Sequence, residues 1–577
     1  RTVGIVWRWF FNTIEQENYL KTRSETLSQL CGTVFDLAVL GGGIVGAGVA
    51  QNAAASGLKV LLIEKGDFAS GTSSRTTKLM HGGFRYLEQY DFRLTRELCQ
   101  ERGLMERLAP HLVKDFTFML PLERNRKLFG MKVGVGLTVY DLLSVNSRGR
   151  RLHKRLNLGD TLSKAPSLDK GRIRGSLLFH DCITDDSRIV LEVLKSAESL
   201  GALTLNYVEA LDFQGSEGRI EAVRCLDRLS GEEIWIKCRA CVNACGIWSD
   251  ALLQKADRSW TPIVKPAKGT HIVLPMTAFK TDTALFLPTD DGRYVFAVPW
   301  QGALMVGTTD HDYDGPLDAP TASPAEVQYL LSVLNSYRAL GPEANARELC
   351  PDDVIAAWAG CRPLVQSGGS TDGNTASLSR EHLLFEGPHG IIGLVGGKLT
   401  NYRMLACHVV DAVLAKLVER DSGYGLISTA RTDKIMLGGW TDQSDFEEFR
   451  LTVLQEAGQL QLSLPTAEHL LASYGKEALR VMEYIGRDPS LAELISEDFP
   501  AVMAELPYCL ENEKAVTLED ILARRIRLAF INQKQCLTVL PRVASRLTEM
   551  GYWSEARAHR LQAEFQASLV KQQGYLP

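Results

Sequence analysis

The segment 34–64 constrains the fold more than any other part of the chain. A mostly apolar run of strand length, Phe35-Asp36-Leu37-Ala38-Val39-Leu40, leads straight into Gly41-x-Gly43-x-x-Gly46. Residues 44–56 then place Ala and Val at helical spacing until Gly57 stops them, and a second apolar run, 59–64, ends on Glu64. Strand, glycine turn, helix and strand in that order form the opening βαβ unit of a dinucleotide-binding sheet. Gly41 and Gly43 let the main chain turn sharply and approach a pyrophosphate. It sits where Ile44 opens the helix, because unpaired N–H groups and the helix dipole favour an anion there. Gly46 lets the helix pack on the sheet, and Glu64, roughly twenty residues on, places a carboxylate where both ribose hydroxyls can donate to it. The motif by itself admits either NAD or FAD.

At 577 residues the chain exceeds what one core supports, so two or three domains are expected. Its net charge of -5 gives no reason to expect a nucleic-acid partner. Twelve cysteines without a secretory signal read as reduced thiols rather than a disulfide framework. No stretch reaches the roughly 18 apolar residues a membrane span requires, so membrane contact is expected to be peripheral. Residues 1–13 carry Arg1, Arg8 and aromatics, with no acid before Glu15. That composition suits the tail of a transit peptide and an ordinary N-terminal helix equally.

Beyond the second strand the sequence reads Gly66-Asp67-Phe68-Ala69-Ser70-Gly71-Thr72-Ser73-Ser74-Arg75-Thr76-Thr77-Lys78-Leu79-Met80-His81-Gly82-Gly83-Phe84-Arg85-Tyr86-Leu87. Three further segments follow in order: Lys268-Gly269-Thr270-His271-Ile272-Val273, Val306-Gly307-Thr308-Thr309-Asp310, and Gly396-Gly397-Lys398-Leu399-Thr400-Asn401-Tyr402-Arg403. Together they resemble the signature of the FAD-dependent glycerol-3-phosphate dehydrogenases, over roughly residues 33–435. The resemblance implies FAD as cofactor, oxidation of sn-glycerol 3-phosphate to dihydroxyacetone phosphate, and a membrane quinone as acceptor. An oxidase using O2, or a flavoenzyme for another small 2-hydroxy or amino acid, stays open beside it. It also implies a peripheral position on the mitochondrial inner membrane in a eukaryote, or on the cytoplasmic face of the plasma membrane otherwise, and it admits a homodimer.

Thr72, Ser73 and Ser74 supply hydroxyl and N–H donors for phosphate or flavin oxygens, and Gly82 lets main chain lie against a flat ring. The resemblance adds Lys65, Lys78, His81 and Val208 to the cofactor contacts, with Ala244, Gly246 and Trp248 near the pyrophosphate or flavin edge. Gly396 to Thr400, with Gly397, Lys398, Leu399 and Thr400 as cofactor contacts, resembles a returning helix N-terminus that faces the flavin pyrimidine. Oxidising a secondary alcohol needs a base for the hydroxyl proton. His81 is the first choice and His271 the second, because imidazole titrates near operating pH. A phosphate calls for arginine forks. Arg362 and Arg380 match the family's phosphate positions, with Arg85, Tyr86, His271 and Lys398 closing around the same substrate. Apolar neighbours at 354–359 and 363–365 argue that the Arg362 charge needs a buried partner.

Two apparent metal motifs are set aside, and no metal is expected. Cys238-x-x-Cys241-x-x-x-Cys245 falls along a strand-like stretch, and Asp310-x-Asp312-x-Asp314-Gly315 lacks the glutamate that ends an EF-hand loop. Residues 121–155 concentrate Arg124, Arg126, Lys127, Lys132, Arg148, Arg150, Arg151, Lys154 and Arg155 against Glu123 and Asp141, around the apolar stretch 131–145. Such a segment suits an anionic membrane interface.

The expected architecture is α/β. It has an FAD-binding Rossmann-like domain of the glutathione-reductase or D-amino-acid-oxidase type, an antiparallel substrate cap and a C-terminal helical domain. The boundaries read from the sequence are an N-terminal extension at 1–32, a discontinuous FAD-binding domain at 33–120, 175–265 and 355–432, the basic segment at 121–174, the cap at 266–354, and the helical domain at 433–577. Helical spacing in the last marks 446–460, 466–482, 517–531 and 554–571.

Overall fold

The computed structural model describes residues 23, 25–28, 30, 32–87, 90–144, 152–216, 218–339, 347–366 and 382–576, without the side chains of Arg85 and Lys127. Most of the N-terminal extension, Arg380, and the basic residues Arg148, Arg150 and Arg151 lie outside the described residues.

The apolar runs flanking the glycine turn become the strands Val34–Leu40 and Val60–Ile63, joined by the helix Ile44–Ala55. Both strands are nearly all apolar because parallel strands are covered on two faces. Val34–Leu40 pairs in parallel with Val60–Ile63 on one side and Glu233–Asn243 on the other. Leu203–Leu205, Ile392–Val395, Leu383–Glu386 and a hairpin of Val208–Ser216 with Arg219–Asp227 complete an eight-stranded sheet. The helices Ile44–Ala55, Asp186–Ser199 and Tyr402–Arg420 share the core on one of its faces.

A ten-stranded, largely antiparallel sheet stands beside it. The cap was expected to be 266–354, but Lys114–Glu123, Ile173–Ile183 and Ala356–Val365 also belong to this second sheet. Their membership depends on pairing across distant sequence. Lys114–Glu123 pairs with Ile173–Ile183, and Ala356–Val365 runs antiparallel along Val264–Pro275, which no local periodicity reveals. Phe84, Phe118, Phe179 and Phe286 interlock beneath it in edge and stacked contacts. The basic segment forms the helix Lys127–Leu143, which buries Val133, Leu137 and Tyr140 against this aromatic floor.

The C-terminal region is helical, with Gln443–Gln459 and Glu555–Gln572 close to expectation. The stretch 466–482 divides into Leu464–Tyr474 and Ala478–Arg487, because Gly475 turns the chain against His111 and Gly438. The stretch 517–531 divides at Arg527, whose φ of +74° interrupts it between the wide turn Asp520–Arg525 and Leu528–Ile531. A further helix, Gln533–Glu549, was not read from the sequence. Buried ion pairs dock the region. Arg188 donates two 2.7 Å hydrogen bonds to Glu513, and Asp67 accepts from Arg524 and Arg525.

Candidate active site

A cavity of about 330 Å³ opens at the N-terminus of the helix Ile44–Ala55. Gly41, Gly43 and Ile44 form its floor, and Glu64, Lys65, Thr72 and Ser73 one wall. Val208, Ala244, Gly246, Trp248, Gly397, Lys398 and Leu399 also line it, with the Trp248 ring centre 4.2 Å from Lys65 Nζ. The glycine turn is sterically required: a Cβ on Gly46 would lie 1.9 Å from the Gly41 carbonyl oxygen. The Ile44 N–H donates to Ser73 Oγ at 3.0 Å, which ties the hydroxyl loop to the helix.

The Glu64 carboxylate accepts from the Gly42 N–H at 2.7 Å and the Gly66 N–H at 2.9 Å. Burial raises its pKa against the pull of those two N–H groups. A carboxylate in that position is stabilised by further donors, such as the hydroxyls of a ribose. Backbone amides at a helix end, a hydroxyl loop and this acid together fit an FAD molecule.

A second cavity, about 320 Å³, meets the first along Thr72, Thr76, Pro363 and 396–399. His81, Tyr86, His271, Arg362, Lys398 and Thr400 all line it. Arg362 sits on the strand Ala356–Val365, and its Nη1 donates to Asp310 Oδ1 at 3.0 Å and its Nη2 to Thr308 Oγ1 at 3.1 Å. The sequence argued for a buried partner; Asp310 is a partner, but the Arg362 side chain is 34% exposed, so the pair is only partly buried. Lys398 Nζ lies 4.7 Å from the Tyr86 ring centre.

Two imidazoles face this space under different constraints. His81 Nδ1 accepts the Gly83 N–H at 3.1 Å, and its main chain is tied to the Thr400 hydroxyl. His271 is stacked on Trp358, with ring centres 5.3 Å apart and planes at 10°. Its Nε2 lies 3.0 Å from Thr77 Oγ1, and its Nδ1 is buried without a hydrogen-bond partner among the described residues. Burial lowers both imidazole pKa values. For His81 the nearby Asp181 opposes this, while Lys398 and Arg102 reinforce it; for His271 Lys78 and Arg362 reinforce it.

Several expected contacts lie elsewhere. Lys78, read as a cofactor contact, is fully buried, and its Nζ donates to Ser74 O at 2.6 Å and Asp186 Oδ2 at 2.7 Å, behind the cavity wall. Ser74 lies behind the same wall, where its carbonyl accepts from Lys78 and Arg527. Gly82 is required by protein packing, since an added Cβ would lie 2.4 Å from both Cys99 Sγ and Tyr140 OH. Arg85 occupies the short helix Phe84–Leu87, but its side chain, like all of Arg380, lies outside the described residues. Sequence reasoning passed over Arg75, Thr76 and Thr77 inside its own quoted run, Asp181 on the strand Ile173–Ile183, and Arg293 in the turn before Tyr294–Trp300. The first three were legible from their place in the motif; Asp181 and Arg293 carry no local signal.

The family model described as FAD dependent oxidoreductase matches residues 36–403, and that of the C-terminal domain of alpha-glycerophosphate oxidase matches 430–558. The chain is 34% identical over 541 residues to the mitochondrial glycerol-3-phosphate dehydrogenase of Mus musculus, covering 91% of this chain and 71% of that protein. It is 31% identical over 535 residues to the aerobic glycerol-3-phosphate dehydrogenase of Bacillus subtilis, covering 92% and 94%. Among solved structures, the glycerol-3-phosphate dehydrogenase from Bacillus halodurans complexed with FAD matches with a TM-score of 0.78 at 29% identity, over 96% of this chain and 99% of that one.

Proposed function

The chain belongs to the FAD-dependent glycerol-3-phosphate dehydrogenases, and on that premise we propose that it oxidises sn-glycerol 3-phosphate to dihydroxyacetone phosphate in the second cavity and passes the electrons to a membrane quinone. One observation carries this reading: Arg362, Lys398 and two imidazoles held below their ordinary pKa converge on a cavity that shares a wall with the dinucleotide channel. A phosphate dianion suits the cations, and an alcohol losing its proton suits a neutral imidazole.

Gly41, Gly43, Ile44, Thr72 and Ser73 would hold the FAD pyrophosphate and Glu64 its ribose; when bound, FAD supplies the hydride acceptor at flavin N5. The hydrogen bonds support distinct roles for the two histidines. Because His81 Nδ1 already accepts the Gly83 N–H, neutral His81 carries its proton on Nε2 and offers a donor for the substrate oxygen. His271 turns no free nitrogen to the cavity: its Nδ1 is buried and its Nε2 meets the Thr77 hydroxyl, so a proton that it takes from substrate passes through Thr77. Arg362, with Asp310 fixing its guanidinium, binds the phosphate, and Lys398 adds charge at the junction.

The membrane side of the proposal rests on the helix Lys127–Leu143. Leu128, Met131 and Val135 are 71%, 69% and 68% exposed on the face opposite Val133, Leu137 and Tyr140. No helix among the described residues is long and apolar enough to cross a membrane. An apolar stripe beside Arg124, Arg126, Lys132, Lys154 and Arg155 suits the interface of an anionic bilayer, from which a quinone can reach the reduced cofactor.

Anaerobic mixing of the purified holoprotein with glycerol 3-phosphate tests the reading. Rapid bleaching of the flavin band is expected. A flavin that stays yellow with this substrate yet bleaches with a 2-hydroxy or amino acid would overturn it in favour of that substrate class.

A further inference from the structure

Two non-glycine residues in the left-handed region, Lys78 at φ +58° and Arg527 at φ +74°, converge on one carboxylate. Asp186 accepts from Lys78 Nζ at 2.7 Å on Oδ2 and from Arg527 Nη2 at 2.9 Å on Oδ1. Both side chains also donate to Ser74 O, at 2.6 and 3.0 Å. All three side chains are at most 1% exposed. Strained backbone persists where surrounding contacts over-determine it, and it gathers at sites whose geometry must be held.

The strip held in this way divides the two cavities. Asp186 Oδ2 also accepts from the Thr76 N–H at 2.9 Å and its hydroxyl at 2.8 Å, and Thr76 lines both cavities. Thr77 is thus fixed on either side, by Thr76 and Lys78, and its hydroxyl meets His271 Nε2. The same unit reaches His271 by a second route. Lys78 Nζ lies 5.2 Å from the Trp358 ring that stacks on His271, and Phe530, three residues after Arg527, packs edge-on to Trp358 at 5.1 Å.

We propose that Asp186, Lys78 and Arg527 form a positioning unit through which the C-terminal domain fixes Thr77 and the His271 imidazole. The domain thereby takes part in setting the rate of substrate oxidation. This rests on the reading of the second cavity as the substrate site. Arg527 lines neither cavity and acts through Asp186 and the Ser74 carbonyl, so it is a positioning residue and not a catalytic one.

The test compares holoproteins carrying Arg527→Met, Arg527→Lys and Thr77→Val, following anaerobic flavin reduction across glycerol 3-phosphate concentrations. Arg527→Met is expected to lower the limiting reduction rate roughly tenfold, with substrate affinity and FAD content within about twofold of the parent. Arg527→Lys should restore most of the rate. Thr77→Val, which leaves the buried ions intact, should reproduce the rate loss at unchanged melting temperature; if Arg527→Met does not fold, Phe530→Leu, which loosens Trp358 from the C-terminal side and lines neither cavity, is read for the same loss. Parent-like limiting rates in Arg527→Met and Thr77→Val would overturn the proposal, as would losses that merely track FAD content. If the parent flavin is not reduced by glycerol 3-phosphate, the substrate reading fails separately. The positioning claim then stands or falls on whether Arg527→Met shifts the flavin absorption spectrum and midpoint potential while Arg527→Lys does not.

Discussion

The two cavities share a wall but are made differently. The first takes much of its polar lining from two short stretches, 41–46 and 64–76, and its hold on an anion comes from main-chain N–H groups, a helix end and tight glycines. The second is assembled from side chains hundreds of residues apart: His81, Asp181, His271, Arg293, Arg362 and Lys398 come from separate elements. A site built of main chain is encoded by what must be absent, a Cβ. A site built of side chains is encoded by what must be present, charges and rings in register. Cofactor binding should therefore be most sensitive to added bulk, and substrate binding to truncation.

The largest effect expected is from Gly46→Ala. A methyl group 1.9 Å from the Gly41 oxygen forces the turn open, so the protein should purify colourless. A yellow Gly46→Ala variant with ordinary flavin content would break the contrast. Arg362→Ala comes next and tests the other half. Losing two charge-assisted hydrogen bonds of about 1.5 kcal/mol each should weaken substrate binding roughly 100-fold while FAD content stays unchanged. An unaltered Michaelis constant would remove Arg362 from the phosphate clamp. Ser73→Ala should matter far less. It removes only the 3.0 Å bond that Ile44 N–H makes to the hydroxyl, a cap-like interaction of about 1 kcal/mol, so FAD retention in equilibrium dialysis should fall by roughly fivefold.

The same contrast explains what the sequence made legible. The nucleotide unit is local, so Gly41, Gly43, Gly46 and Glu64 could be assigned roles from spacing alone, and the strand, turn, helix and strand appear almost residue for residue. Arg362 and His271 needed the family resemblance, because the register that sets His271 opposite both Gly307 and Trp358 is a property of paired strands. Lys78 shows the limit of a motif. It belongs to the quoted run, yet its left-handed backbone turns it away from the cavity toward Asp186, and nothing in the order of residues distinguishes that orientation from the one expected. The break at Arg527 escaped notice for a related reason. Helical spacing in 517–531 is set by burial against the catalytic domain, and a buried residue of positive φ leaves that periodicity in place.

The smallest expected effect concerns pH, and it separates the cavities by chemistry. No histidine lines the first cavity, whereas the second holds two. Burial drives both imidazoles below the ordinary value of 6.5, and for each, nearby cations push the same way. A depressed pKa keeps the neutral form populated as pH falls, so the base and the donor both persist in acid where an exposed histidine would already be half protonated. The limiting rate of flavin reduction should therefore change by less than about twofold between pH 8 and pH 6.5 and decline only below that range. Stability should move in the opposite sense to this tolerance. Below pH 6.5 the unfolded imidazoles bind protons that the folded ones exclude, so the holoprotein loses stability as pH falls, and His111, held down to about 3 by burial, adds to the loss. A reduction rate that halves near pH 6.5 while FAD stays bound would show that the working base is a solvent-exposed group, and would move the assignment away from both His81 and His271.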